Sequence, residues 1–227
     1  MITAKIFNIE NRTVEIYACT EQDKPVIYFN NYDKSGRSVY RALKEITDKD
    51  FSLVVIGNLN WDGDMTPYAI PPISPNDTPC SGEADEYLRI LTEKIIPASE
   101  EHIQGNPEWR AITGYSLAGL FAIYSLYKTD IFSRAASMSG SLWYPNFKEY
   151  IFNHELKRMP DYIYFSLGNK ESKTRNPYLK TVQENTEQIE CYYAQKNIHT
   201  VFELNEGNHF KDCALRSAKG IKWILEN

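Results

Sequence analysis

Apolar residues along this chain fall into short dense runs, separated by longer stretches in which they recur at helical spacing. The runs at 25–29 (Pro-Val-Ile-Tyr-Phe) and 51–56 (Phe-Ser-Leu-Val-Val-Ile) are almost without polar interruption, as strands buried on both faces require. Residues 109–114, 132–138, 161–167 and 199–204 read as further strands. Between them, residues 36–47, 82–102, 146–157, 177–196 and 211–226 read as helices, with Pro97 placed to kink the second. After the strand at 109–114, Leu117, Leu120, Phe121, Ile123, Tyr124 and Tyr127 repeat at helical spacing and predict a helix over 117–128. At the start of the chain, residues 2–8 and 12–19 are β-rich and separated by the turn-like Glu10-Asn11, which predicts an antiparallel hairpin. Residues 57–81 form a long loop rich in Pro, Asn, Asp and aromatics.

Strands that alternate with helices make βαβ units. The fold class expected is therefore α/β: a mostly parallel central sheet with an antiparallel N-terminal edge and helices on both faces. No repeat, low-complexity tract or linker divides residues 1–227, so a single domain is expected.

Composition narrows the function by exclusion. The chain has 227 residues, 42% hydrophobic, with a formal net charge of −5, and it lacks the basic stripe of a nucleic-acid binder. No segment has the length and apolarity of a membrane span, and the first residues show no charged region followed by an apolar stretch. Cys19, Cys80, Cys191 and Cys213 are scattered without metal-site spacing, which suits free thiols in a reducing cytoplasm. Residues 168–174 (Gly-Asn-Lys-Glu-Ser-Lys-Thr) superficially suggest a phosphate loop, but Ser172 stands where that motif needs glycine, and nucleotide binding is rejected.

The chemistry gathers at Gly114-Tyr115-Ser116-Leu117-Ala118-Gly119, a serine pinned between a predicted strand and helix with small residues on both sides. That is the layout of a nucleophile elbow, whose turn is so sharp that the residues two before and two after the serine nearly touch. Gly114 and Ala118 meet that need, although the commonest pattern has glycine at the second position, and Gly119 lets the helix approach the sheet. In open α/β sheets function collects at the carboxyl ends of strands, and hydrolases of this kind run Ser, then Asp or Glu, then His. Of the four histidines, His102 precedes the serine, His154 lies in a helical patch and His199 opens a strand at its amino end. His209 follows the strand at 199–204 in a glycine-containing loop and is the candidate base. Glu171 is the first carboxylate beyond the strand at 161–167 and the candidate acid, with Glu206 its rival. The oxyanion expected on attack needs two N–H donors: the backbone of Leu117, and either Asn31 or Tyr32 in the loop after residues 25–29. Trp61, Tyr68, Trp143 and Tyr144 are the candidate substrate-binding aromatics, with core packing as the competing reading.

These pieces together resemble the Putative esterase family of the α/β-hydrolases, which includes esterase D and the enterobactin esterases. The resemblance rests on residues 114–119 (Gly-Tyr-Ser-Leu-Ala-Gly), 139–144 (Ser-Gly-Ser-Leu-Trp-Tyr), 167–171 (Leu-Gly-Asn-Lys-Glu) and 207–210 (Gly-Asn-His-Phe), in the family's order, with a similar loop at 61–72. It implies an α/β-hydrolase fold and a serine hydrolase of small-molecule carboxylic esters that needs no metal or organic cofactor; the chain departs from the family in being short, with little room for a separate cap domain. Ser116, Glu171 and His209 fall on the family's nucleophile, acid and base positions. Acyl transfer or thioester hydrolysis on the same residues, and a non-catalytic binding module of the same fold, are the alternatives.

Overall fold

The computed structural model describes residues 4–227. Eight strands form one sheet: β1 (Lys5–Ile9), β2 (Arg12–Tyr17), β3 (Val26–Asn30), β4 (Ser52–Gly57), β5 (Arg110–Tyr115), β6 (Arg134–Met138), β7 (Tyr162–Gly168) and β8 (His199–Asn205). Their spatial order is β1-β2-β4-β3-β5-β6-β7-β8. β1 and β2 pair antiparallel at one edge, β2 joins β4 antiparallel, and every pairing from β4 to β8 is parallel. The expected hairpin is therefore present, although residues 2 and 3 of the predicted first strand lie outside the described residues.

The dense apolar runs supply the buried strands because each feeds two cores at once. Along β3, Val26 and Tyr28 face one core while Ile27 and Phe29 face the other, and all five residues of the strand are buried. α1 (Arg37–Ile46) covers one face, joined there by the C-terminal helix, α8 (Cys213–Glu226). The opposite face carries α3 (Ala84–Ile90), α4 (Ile96–Glu100), α5 (Leu117–Ser125), α6 (Phe147–Asn153) and α7 (Val182–Gln195). Among the described residues no helix is long and apolar enough to cross a membrane.

Several boundaries depart from the sequence pattern. The helix predicted over 82–102 is broken by a π-helical turn, Leu91–Ile95, in which the N–H of Ile96 reaches back to the Leu91 carbonyl. Pro97 follows at once and has no N–H to continue the α-helical ladder, so the wider turn relieves both the missing donor and the ring's steric conflict. The helix expected over 177–196 opens with a 3₁₀ turn at Leu179–Thr181, and the one expected over 146–157 stops at Asn153. The long loop at 57–81 hides a short helix, α2 (Trp61–Asp64), and an antiparallel bridge between Ile70 and Cys80.

Candidate active site

Ser116 sits at the tip of the turn from β5 into α5, with φ 61° and ψ −124°. A non-glycine residue there stores roughly 1–3 kcal/mol of backbone strain, which the packing on both sides must hold. That packing is tight: a Cβ on Gly114 would lie 2.5 Å from the backbone and side chain of Ala118, and one on Gly119 would lie 2.9 Å from Gly140. Because position 114 is bare, alanine is accommodated at 118, where glycine is commoner. The serine is further held by its N–H to the Met138 carbonyl (3.1 Å) and by the N–H of Ser141 on its own carbonyl (3.0 Å).

The loop after β8 brings His209 to this turn. Its Nε2 is 3.0 Å from Ser116 Oγ, and its Nδ1 is 2.8 Å from Glu171 Oε2. With Nδ1–H donating to the carboxylate, Nε2 is left to accept the serine proton. The tight turn after β7 seats Glu171: its N–H bonds the Gly168 carbonyl, and its Oε1 accepts from Gly168 N–H (2.5 Å) and Ser139 Oγ (2.8 Å). Burial pushes the Glu171 carboxyl up, but the hydrogen bond and charge of His209, with the Gly168 and Ser139 donors, outweigh it and hold the group below its ordinary value. Glu206 is elsewhere: 80% exposed, its carboxylate pairs with Lys211 at 3.2 Å. Ser141 Oγ stands 3.5 Å from Ser116 Oγ, too far for a firm bond between hydroxyls.

The other three histidines lie apart from this cluster. His102 packs edge-on against Phe7, His154 stacks on Tyr150 and His199 stacks on Tyr162. Among the described residues no group of three or more His, Cys, Asp or Glu side chains is arranged to hold a metal.

The expected backbone donors divide. Leu117 opens α5, so its N–H belongs to the unpaired first turn beside Ser116. Asn31 does not qualify as an oxyanion donor: its N–H extends the sheet to the Ile56 carbonyl (2.8 Å), and its side-chain amide donates to the Ser35 carbonyl (3.0 Å). The N–H of Tyr32 has no acceptor among the described residues, and Tyr32 shares with Ser116 and His209 a cavity of about 240 Å³. Glu15, buried on β2, anchors this loop by accepting from Gly36 N–H (2.6 Å) and Ser35 Oγ (3.2 Å).

A larger cleft of about 560 Å³ opens on the other side, lined by Ser116, His209, Glu171, Trp61, Trp143 and the apolar Ile70, Ile73, Leu179 and Val182. Of the four candidate aromatics, Trp61 and Trp143 line this cleft, whereas Tyr68 and Tyr144 do not. Tyr144 is 1% exposed and donates to the Tyr68 carbonyl (2.5 Å), while Tyr68 donates to the Pro145 carbonyl (2.6 Å). The two tyrosines cross-brace the loops that carry the tryptophans.

Sequence reasoning missed Ser139, Glu15 and the buried Arg216. Ser139 lay within a quoted motif but had no visible role, since its φ of 44° and its contact with Glu171 appear only in three dimensions. Arg216 did leave a signal: it lies in phase with Gly220 and Ile224 on the buried face of α8, where an arginine is out of place.

Comparison with known proteins agrees with this architecture. An IroE-like serine hydrolase from Shewanella oneidensis is 18% identical with a TM-score of 0.81, over 99% of this chain and 80% of that one. The siderophore hydrolase EstB from Aspergillus nidulans is also 18% identical, with a TM-score of 0.76 over 100% and 95% of the two chains. At such identity these likenesses show a shared fold. The uncharacterized protein YbbA of Bacillus subtilis (strain 168) is 25% identical over 209 residues, 85% of this chain and 84% of its own length. The family described as Putative esterase matches residues 36–212, and the protein belongs to that family of carboxylic-ester hydrolases with the α/β-hydrolase fold.

Proposed function

We propose that the protein cleaves carboxylic esters through an acyl-enzyme formed on Ser116, with His209 as general base and Glu171 as the acid that orients it. The observation that carries this reading is the continuous hydrogen-bonded line from Glu171 Oε2 through both nitrogens of His209 to Ser116 Oγ, at 2.8 and 3.0 Å. A free serine hydroxyl is a weak nucleophile at neutral pH. Here His209 Nε2 takes its proton as Oγ attacks the ester carbonyl, and Glu171 stabilises the imidazolium that forms. The oxyanion develops toward the N–H groups of Leu117 and Tyr32, each without an acceptor among the described residues. His209 then gives the proton to the leaving alcohol, and water repeats the sequence in reverse to free Ser116.

Apart from Glu171, the charged residues lining the larger cleft are Asp62 and Asp77, set among apolar and aromatic side chains. That lining favours a neutral ester with an apolar limb. On this proposal residues 4–227 act as a single catalytic domain without a separate cap, and the four free thiols suit a reducing compartment such as the cytoplasm.

Treatment with a fluorophosphonate probe tests the reading: the native protein is labelled and Ser116→Ala is not. An unlabelled native protein overturns it. A panel of p-nitrophenyl acyl esters and matching thioesters then ranks the substrate classes.

A further inference from the structure

Helix α8 buries an arginine that the roles above leave unused. Arg216 is 2% exposed, and burial of a guanidinium is costly unless its donors are matched. Its Nη2 donates to the Glu206 carbonyl at 2.9 Å. Its Nη1 lies 3.2 Å from the Tyr115 hydroxyl and 3.3 Å from both Ser139 Oγ and Glu171 Oε1. These partners stand on the segments that carry the three proposed catalytic groups. Tyr115 precedes Ser116, Glu171 is the proposed acid, and Glu206 lies in the loop that carries His209.

The backbone makes room for this side chain. A Cβ on Gly168 would come within 2.9 Å of Nη1, 3.0 Å of Nη2 and 2.4 Å of the Gly207 carbonyl. The Tyr115 hydroxyl accepts from Arg216 and donates to the His209 carbonyl at 2.7 Å, so a second hydrogen-bonded path reaches the histidine from the same guanidinium. Burial pushes the Tyr115 hydroxyl up, which keeps it a donor. The 3.3 Å approach to Glu171 is longer than a charge-assisted bond of about 2.7–2.9 Å. Arg216 thus acts on the carboxylate by charge and direction, and its firmest hold is on the loop of the base.

We propose that Arg216 is the positioning residue of this active site: one planar fork sets Glu171, the His209 loop and the strand of Ser116 at their mutual distances. It touches no reacting atom. A lysine would supply the charge without the two-armed geometry. The inference rests on the roles proposed for Ser116, Glu171 and His209.

The test uses the full chain, with steady-state kinetics on p-nitrophenyl acetate for Arg216→Met, Arg216→Lys, Glu171→Gln and the Arg216→Met/Glu171→Gln pair. Arg216→Met lowers kcat by ~100-fold with KM within ~2-fold, and Arg216→Lys recovers about a tenth of native kcat. Placed on Glu171→Gln, the same Arg216→Met change costs under ~10-fold, because one of its partners is already disabled. Equal factors in both backgrounds, or native kcat in Arg216→Met, overturn the proposal. If Arg216→Met alone does not fold, the pair, which leaves no unmatched buried charge, is compared with Glu171→Gln, and a cost of ~100-fold there overturns it. Failure of the ester-hydrolase reading looks different: the native protein then neither turns over the ester nor takes up a fluorophosphonate.

Discussion

The hydroxyl of Tyr115 donates a 2.7 Å hydrogen bond to the carbonyl of His209, across 94 positions of sequence. Tyr115 ends β5 beside Ser116, so this bond ties the elbow to the loop that carries the imidazole. Loops that must hold a 3.0 Å approach need such cross-ties, because a displacement of about 1 Å at a reacting group can cost ~100-fold in rate.

Ser116→Ala and His209→Ala are each expected to lower turnover of an activated ester by ~10³-fold or more, with the fold unchanged by circular dichroism. Turnover near native in His209→Ala would hand the role of base to another group.

Glu171→Gln is expected to lower kcat by ~10²–10⁴-fold, whereas Glu206→Gln, on an exposed carboxylate paired with Lys211, stays within ~2-fold. The opposite ranking would exchange the acid.

The Glu171 carboxyl is also a pH-dependent stabiliser. Its folded-state value lies below the ordinary 4.5, so its contribution is complete above that pH and is lost as pH falls through 4.5 toward the folded value. In urea titrations the native protein should lose stability across that acidic window more steeply than Glu171→Gln.

Tyr32→Pro removes the backbone donor proposed for the oxyanion and should cost ~10²–10³-fold in kcat, while Tyr32→Ala keeps the N–H and costs far less. Equal losses in the two variants would place the donor elsewhere.

Ser116→Gly should abolish ester turnover and yet raise Tm. Glycine occupies φ 61°, ψ −124° without side-chain strain; relief of about 2 kcal/mol, less the roughly 1 kcal/mol that glycine's unfolded-state freedom costs, leaves a gain worth about 2–4 °C for a domain of this size. A lower Tm would mean that the strain at the elbow is smaller than that entropy cost. Gly114→Val should do the reverse damage, since a Cβ there meets Ala118 at 2.5 Å.

The amino-acid sequence by itself determined the buried strands and pointed to the elbow and to candidates for acid and base, because each leaves a local signature. A strand covered on both faces must be apolar at successive positions, as at Val26–Asn30. A sharp turn must carry small residues at fixed offsets, as at Gly114 and Ala118. Chain order then narrowed the candidate base to one of four histidines, since only His209 closely follows a strand's carboxyl end. Tertiary structure decided what depends on neighbours remote in sequence. Asn31 reads as well as Tyr32 until its N–H is found bonded to Ile56, and Tyr144 reads like Trp143 until its hydroxyl is found locked onto the 57–81 loop. Arg216 is one arginine among many along the chain, and only the folded sheet sets Glu171, Ser139, Tyr115 and the Glu206 carbonyl around it. The division follows the range of the forces. Backbone sterics and hydrophobic periodicity act over a few residues and are written locally, whereas a hydrogen bond belongs to whichever donor and acceptor the completed packing brings within about 3 Å.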